Sequence, residues 1–191
     1  MANLLSETRI ILIHPTLPEN VGAVARAMRH FGLRDLVIAE GGVDPRHPHA
    51  VRVAAGAEAI LEDARQVETF EEALEDVVFA VATTARPYEA VDMRTREPRH
   101  VAPLARDYAQ AGAVALVFGT EKHGLPNEYL RRCHQIVRIP GEEGTCLNLA
   151  MAVNIFAYEW YLAAEAGHAH ETVPLLAAAA QETDLSDLGE R

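Results

Sequence analysis

Short apolar runs alternate with amphipathic segments along most of this chain. Runs such as residues 9–14 and 114–118 are branched and apolar, which is typical of strands buried on both faces of a sheet. The predicted strands are residues 9–14, 36–39, 77–83, 114–118 and 136–139, and the predicted helices are residues 20–31, 47–64, 70–76, 104–112, 127–133 and one that begins near 147. This alternation predicts an α/β domain with a mostly parallel sheet and helices on both faces.

Two segments of the pattern depart from simple alternation. Residues 87–103 contain many arginines and little periodicity, which predicts a loop. The last helix carries two apolar stripes, one of Leu149, Val153, Phe156 and Trp160 and the other of Met151, Ile155, Tyr158 and Leu162. A helix that is apolar on two faces must be buried on both. Burial inside a monomer and contact with a second subunit both satisfy this requirement.

Composition narrows the class of protein. The chain has 191 residues, of which 49% are hydrophobic, and this suits one globular domain, predicted over residues 1–166. Residues 167–191 form an acidic, alanine-rich tail that we expect to be mobile. The chain lacks both a membrane-length apolar run and a signal-peptide pattern, which predicts a cytoplasmic protein. Cys133 and Cys146 are too far apart for a C-x-x-C motif and are interpreted as free thiols.

The formal net charge of −11 has the wrong sign for a nucleic-acid partner. The acidic residues are unevenly distributed, however. Residues 58–76 carry eight carboxylates and a single arginine. Arginines gather at Arg26, Arg29, Arg86, Arg94, Arg96, Arg99 and Arg106. Two interpretations of these arginines remain open. They form a local basic face, or they are scattered and solvated individually.

Loops of small and polar residues follow three of the apolar runs, at residues 15–19, 119–125 and 140–148. Ligands of open α/β sheets bind outside the carboxyl ends of the strands, so these loops predict a ligand crevice. Gly119 and Gly124 would let one loop approach a flat ligand closely, although an ordinary tight turn also explains them. Neither G-x-G-x-x-G nor a P-loop occurs, and the pairs at residues 47–49 and 168–170 are interpreted as surface histidines rather than metal ligands.

Three motifs in these loops resemble those of a known family. They are Asn20-x-Gly22 with Arg26, then Phe118-Gly119-x-Glu121-x-x-Gly124-Leu125, then Ile139-Pro140 with Leu147-Asn148-Leu149-Ala150. In this order and spacing they resemble the RNA 2′-O-ribose methyltransferases of the SPOUT class, in its SpoU/TrmH branch, and within that branch the bacterial TrmJ-type tRNA enzymes. The resemblance covers roughly residues 8–165.

The resemblance implies features of fold, assembly and chemistry that the pattern of apolar and polar residues does not predict. It implies a deep C-terminal trefoil knot, a homodimer formed through the last helix, and S-adenosylmethionine bound in the crevice. It implies methylation of a ribose 2′-hydroxyl in structured RNA, with a tRNA anticodon loop as the expected target and rRNA as a second RNA class. The cofactor-binding residues that it implies are Thr83, Thr84, Phe118, Gly119, Thr120, Glu121, Gly124, Ile139, Pro140, Cys146, Leu147 and Asn148.

The catalytic residues implied by the resemblance are Arg26, Asn20 and Glu121, and the RNA-binding residues are Arg26, Arg29 and Arg86. A guanidinium is very hard to deprotonate, so we expect Arg26 to activate the hydroxyl electrostatically. Asn20 is also explained as a helix cap, Glu121 as a group that holds Arg26 or a loop amide, and Arg26 itself as a solvated helix residue. Asn148 is expected to cap the last helix, to bind ligand, or both.

Departures from the family pattern keep two other interpretations open. Cys146 stands where family members commonly have serine, Thr120 stands where TrmJ-type enzymes often have arginine, and those enzymes carry a C-terminal extension. Together with the net charge, these departures favour a non-catalytic module that binds S-adenosylmethionine or RNA. The third interpretation is a nucleotide-binding regulatory domain of flavodoxin-like topology.

Overall fold

The computed structural model describes residues 3–85, 95–142 and 144–166. Within these ranges the strands are β1 (Thr8–Ile13), β2 (Asp35–Ala39), β3 (Arg65–Val67), β4 (Val77–Thr83), β5 (Ala113–Phe118) and β6 (Gln135–Val137). The helices are α1 (Pro18–His30), α2 (Pro48–Ala54), α3 (Glu58–Glu62), α4 (Phe70–Ala73), α5 (Pro98–Tyr108), α6 (Asn127–Leu130) and α7 (Leu149–Glu165).

The strands form one sheet in the order β3-β2-β1-β5-β4-β6, and every pairing between named strands is parallel. The central strand β1 is buried along its whole length, as its continuous apolar run predicts. Its side chains alternate between two cores. Ile10 and Leu12 pack with α1, α5 and α7, whereas Ile11 and Ile13 pack on the side of α4 and α6. The prediction of a parallel sheet covered on both faces is confirmed.

The strand order contradicts the flavodoxin-like interpretation. In that topology the first strand lies between the second and third, but here β1 lies between β2 and β5. The chain direction across the sheet therefore reverses between β1 and β5. The loops singled out in the sequence emerge at the carboxyl ends of β1, β5 and β6.

Several predicted boundaries were wrong for identifiable reasons. β3 was missed because its three residues, Arg-Gln-Val, are largely exposed at a sheet edge and carry no apolar run. The predicted helix over residues 47–64 is divided because Ala55 and Gly56 adopt positive φ angles of 43° and 94°. The predicted loop over residues 87–103 ends early, since α5 begins at Pro98, and residues 86–94 lie outside the described ranges.

Helix α1 begins two residues before the predicted cap. Pro18 occupies its first turn, where the missing N–H costs nothing, and Leu17 is the N-cap residue without a side-chain bond. Asn20 therefore lies inside the helix, and the capping interpretation of Asn20 is wrong. The stop at Gly32 is confirmed, with a φ of 79° just after the helix. Gly22 lets α1 approach α2 closely, because a Cβ there would lie 2.2 Å from the Ala50 carbonyl oxygen.

The two apolar stripes of α7 have different surroundings. The stripe containing Phe156 and Trp160 is buried in the core with α1 and α5. Met151 and Tyr158 on the other stripe are 61% and 49% exposed, so burial of both faces within a monomer is not observed. No helix in the described ranges is long and apolar enough to cross a membrane.

Candidate functional site

A cleft of about 750 Å³ lies at the carboxyl ends of β4, β5 and β6. We call it the strand-end cleft. Its walls are residues 83–85, 118–125, 138–142 and 144–147, and its floor includes Leu149, Ala152, Ile155 and Phe156. The loops after Phe118 and Val137 therefore face each other, as the sequence predicted. Such a volume is ordinary for a site that holds a small molecule or a cofactor.

The loop after β5 folds back on itself very tightly. The Gly124 N–H donates to the Thr120 carbonyl over 2.9 Å, and the His123 N–H donates to the Thr120 hydroxyl over 3.1 Å. A Cβ on Gly119 would lie 2.1 Å from the Gly124 carbonyl carbon and 2.3 Å from the Leu125 nitrogen, so only glycine fits. Gly124 has a φ of 66°. The loop is therefore a tight turn, and it also lines the strand-end cleft.

A chain of hydrogen bonds ties this loop to the starts of α1 and α7. The Glu121 carboxylate accepts from the Thr16 hydroxyl at 2.8 Å, from the Thr16 and Leu17 backbone N–H groups, and from the Asn20 amide at 2.9 Å. The Asn20 amide oxygen in turn accepts from the Asn148 amide at 2.8 Å. Asn148 also accepts from the Ala150 N–H, which confirms its capping role. Three segments far apart in sequence are thus fixed together.

Glu121 acts as an acceptor at the centre of this chain. Partial burial alone would raise its carboxyl pKa, but the bonds from Asn20 and Thr16 outweigh burial and hold the pKa below the usual 4.5. Glu121 is therefore ionised at neutral pH. The sequence left Arg26 and a loop amide as possible partners of Glu121. The carboxylate accepts hydrogen bonds from the loop amides of Thr16 and Leu17, and no bond to Arg26 is found among the described residues. Thr16, which sequence reasoning missed, follows β1 without any motif to mark it.

Arg26 lies in a neighbouring cleft of about 950 Å³ between α1 and α7, which we call the helix cleft. Its side chain is exposed, and no carboxylate lies within 4 Å of it in the described part of the chain. Arg29 and Asn148 line the same cleft. Leu147 and Ile155 line both clefts and form the wall between them. Eleven of the twelve predicted cofactor residues line the strand-end cleft, and the exception is Asn148.

Thr83 and Cys146 also lie at the strand-end cleft, whereas Cys133 does not line it. Thr83 donates from its hydroxyl to the Val117 carbonyl at 3.0 Å, whereas Arg86 lies outside the described residues. Cys146 is exposed in the strand-end cleft, and Cys133 is buried. Burial raises the pKa of the Cys133 thiol to about 12, so that thiol is unreactive. Across the described residues no group of three potential metal-ligating side chains is found.

A second anchor holds the segment that follows the loop after β5. The Tyr129 hydroxyl on α6 donates to a carboxylate oxygen of Glu40 at 2.6 Å, just beyond β2. This bond, with a smaller contribution from burial, raises the pKa of Tyr129 to about 12. Sequence reasoning missed this pair because the two residues are 89 positions apart. The bond ties α6 to the end of β2.

Replacing Tyr129 with phenylalanine tests this anchor. The Tyr129 phenol stays neutral in the folded protein up to about pH 12 but ionises near pH 10 when unfolded. Its contribution to stability is therefore complete below pH 10 and declines as the pH rises from 10 to 12. We expect Tyr129→Phe to lose about 1 kcal/mol at pH 7 and to flatten this alkaline decline, measured by urea unfolding. Tyr108→Phe, which removes a half-exposed hydroxyl elsewhere, is the control and should change neither quantity.

Known proteins are similar to this chain in sequence. A model of the SpoU rRNA Methylase family matches residues 7–158. The tRNA (cytidine/uridine/adenosine-2′-O-)-methyltransferase TrmJ of Pseudomonas aeruginosa is 41% identical over 158 residues, which are 82% of this chain and 61% of that protein. The tRNA (cytidine/uridine-2′-O-)-methyltransferase TrmJ of Pectobacterium atrosepticum is 40% identical over 157 residues, covering 82% of this chain and 64% of that protein.

A crystal structure agrees with the sequence comparisons. The probable methyltransferase from Bordetella pertussis superposes with a TM-score of 0.79 and 37% identity, covering 86% of this chain and 99% of that one. The chain spans less than two thirds of the length of the two TrmJ proteins. From the family model, the relatives and the crystal structure together, it follows that the chain belongs to the SpoU rRNA Methylase family.

Proposed function

We propose that this chain transfers a methyl group from S-adenosylmethionine to a ribose 2′-hydroxyl of structured RNA. The observation that carries the proposal is the strand-end cleft with its glycine-only loop, which shares Leu147 and Ile155 with a neighbouring cleft lined by the exposed Arg26. The substrate proposed is tRNA, because both curated relatives are named as tRNA 2′-O-methyltransferases. Its anticodon loop is the target that the motif resemblance suggests, with rRNA as the second RNA class.

The strand-end cleft fits the proposed cofactor. Its walls come largely from loop residues, and the tight loop after β5 leaves no room for a Cβ on Gly119. The residues that would hold the cofactor are the eleven cleft-lining residues predicted from the sequence, with Thr83 and Thr84 at the end of β4 and Cys146 opposite them. S-adenosylmethionine supplies an electrophilic methyl group on a sulfonium centre.

Arg26 is the proposed catalytic residue. A ribose hydroxyl gains negative charge on its oxygen as it becomes a nucleophile, and a guanidinium beside that oxygen stabilises the charge. Because a guanidinium does not accept a proton at neutral pH, the proton passes to another acceptor, and the adjoining RNA phosphate is the group we propose. Asn20 and Glu121 contribute by position, since their polar atoms hold the loop after β5 against α1.

Three further features are part of the proposal. A trefoil knot is supported by the path of residues 144–148, which return from the β6 edge of the sheet to Asn20 on α1. A homodimer is supported by the exposed apolar side chains of Leu147, Met151 and Tyr158 at and near the helix cleft. Action in the cytoplasm is supported by the tRNA substrates named for the relatives.

The proposal is tested by incubating the protein with labelled S-adenosylmethionine and unmodified tRNA. Nuclease digestion and mass spectrometry should then detect 2′-O-methyl nucleosides, and methyl groups on bases would contradict the assignment of the acceptor. The same assay with rRNA fragments ranks the two RNA classes. Calorimetric titration with S-adenosylmethionine, run in parallel, measures cofactor binding independently of turnover.

One observation favours a second function, a non-catalytic module that binds cofactor or RNA. Cys146 places a thiol in the cleft where the family commonly has a hydroxyl, and the hydroxyl of neighbouring Thr145 donates to the Glu142 carbonyl at 2.7 Å. Thr145 is therefore already engaged and does not simply replace a missing serine. Cofactor binding without methylation of tRNA or rRNA would establish this second function and contradict the first.

A further inference from the structure

The loops that follow β1 and β2 concentrate left-handed backbone at the carboxyl ends of these strands. Glu40, Gly41 and Gly42 have successive φ angles of 62°, 75° and 104°, and His14 has a φ of 45°. Residues other than glycine keep such angles only where surrounding contacts hold them, and strain of this kind clusters at functional sites. We call the two loops the brace, which comprises residues 14–16 and 40–43.

Hydrogen bonds fix the two halves of the brace to each other. The Val43 N–H donates to the Pro15 carbonyl at 3.0 Å. The His14 N–H donates to the Ala39 carbonyl at 2.9 Å, and the His14 ring atom Nδ1 lies 2.9 Å from the Glu40 carbonyl oxygen, which accepts from it. The two loops are therefore joined at both ends, and a displacement of one is transmitted to the other.

Gly42 makes the closest approach within the brace. A Cβ there would lie 2.6 Å from the Pro15 carbonyl oxygen and 2.9 Å from the Pro15 nitrogen, which are both backbone atoms. The loop after β2 has little freedom to retreat, since the Glu40 N–H donates to the Val67 carbonyl of β3 at 3.0 Å and the Glu40 carboxylate accepts from Tyr129. A side chain at position 42 would therefore displace Pro15.

The brace meets the candidate site at Thr16, which directly follows Pro15. The Thr16 hydroxyl donates to the Glu121 carboxylate at 2.8 Å, and the Thr16 N–H donates to it at 3.1 Å. Glu121 lines the strand-end cleft and also accepts from Asn20 on α1, the helix that carries Arg26. The position of Pro15 therefore affects how the wall of the cleft is held against α1.

We propose that Gly42 is a positioning residue for methyl transfer. Its missing side chain lets the brace hold Thr16 against Glu121, and this contact keeps the wall of the strand-end cleft aligned with Arg26. The inference rests on the proposed function for the reaction itself. It assigns a role to a loop that no motif marks and that lines neither cleft.

The test compares Gly42→Ala with Gly41→Ala in single-turnover methylation of tRNA at saturating cofactor. Both exchanges place a side chain at a left-handed φ, so both should lower the free energy of unfolding in urea. Apart from chain neighbours, a Cβ at position 41 meets no atom closer than His14 Nδ1 at 3.9 Å. The rate should fall about 10-fold in Gly42→Ala, because a displacement of about 1 Å far from the reacting atoms can cost up to about 10². It should stay near the wild-type value in Gly41→Ala.

Thr16→Val tests the same link without adding a side chain to the brace. It removes the hydroxyl that donates to Glu121, so the rate should fall about 5-fold, the equivalent of about one hydrogen bond. The double variant Gly42→Ala, Thr16→Val should lose less than the product of the two single losses, because both exchanges weaken the same contact with Glu121. Single losses that multiply in the double variant would overturn the proposed route through Thr16.

The outcomes separate this inference from the proposed function. If wild type methylates tRNA and Gly42→Ala reacts as fast as Gly41→Ala, Gly42 has no positioning role and the function stands. If Gly42→Ala does not fold, Thr16→Val decides: a full rate overturns the proposal, and a lowered rate with wild-type stability supports it. If wild type binds cofactor but methylates no RNA, both proposals fail.

Discussion

Arg26→Ala is expected to reduce the rate of methyl transfer by about 10² to 10³, because it removes the charge that stabilises the developing oxyanion. The loss should fall on kcat, since the interaction strengthens as the hydroxyl oxygen becomes negative. Affinity for S-adenosylmethionine should stay near the wild-type value, because Arg26 lines the helix cleft and not the strand-end cleft. The measurements are single-turnover methylation of tRNA and calorimetric titration with the cofactor.

Two controls make the Arg26 experiment decisive. Arg26→Lys keeps a positive charge but loses the planar fork of donors, so it should recover only part of the rate. Arg34→Ala removes an exposed arginine before β2 and should behave as wild type. Full activity in Arg26→Ala would end the catalytic assignment of Arg26. Equal losses of rate and of cofactor affinity would mean that Arg26 supports the fold or the cleft instead.

Much of the fold follows from local sequence. The buried strands are continuous branched apolar runs, the glycines and prolines bound them, and the three strand-end loops indicate the crevice. The incorrect predictions also concern short segments of the chain. β3 is a short polar edge strand, and the break at Ala55 and Gly56 depends on left-handed backbone angles that alanine rarely adopts. A pattern of apolar spacing contains no information on either feature.

The motifs pointed to residues that lie together in the structure, but not to the bonds that connect them. The motifs identified Asn20, Glu121 and Asn148, yet the bonds between them join positions 101 and 128 residues apart. Spacing rules describe neighbours within a few turns, so they suggested a cap for Asn20 and could not distinguish the partners of Glu121. The separation of Arg26 from the strand-end cleft by Leu147 and Ile155 likewise depends on tertiary packing alone.

Gly119→Ala is expected to weaken binding of S-adenosylmethionine by about 10-fold, which corresponds to about 1.4 kcal/mol or roughly one hydrogen bond, because the clash displaces a wall of the cleft. The added Cβ would lie 2.1 to 2.3 Å from the Gly124 carbonyl group and the Leu125 nitrogen. These are backbone atoms, so the clash is relieved only if the whole loop moves. That movement also strains the bonds that Thr16 and Asn20 donate to Glu121, which hold the loop against α1.

Cofactor binding to the variant can be measured with the two cysteines of the chain. Cys146 is exposed in the strand-end cleft and should be protected from alkylation by bound cofactor, whereas buried Cys133 should stay unmodified throughout and report that the fold is intact. In Gly119→Ala the protection of Cys146 should require correspondingly more cofactor. Gly141→Ala adds a methyl group to the same cleft without meeting any atom within 4 Å, so it should lose less affinity. Equal affinities for the two variants would refute the role of the tight loop as a cofactor wall.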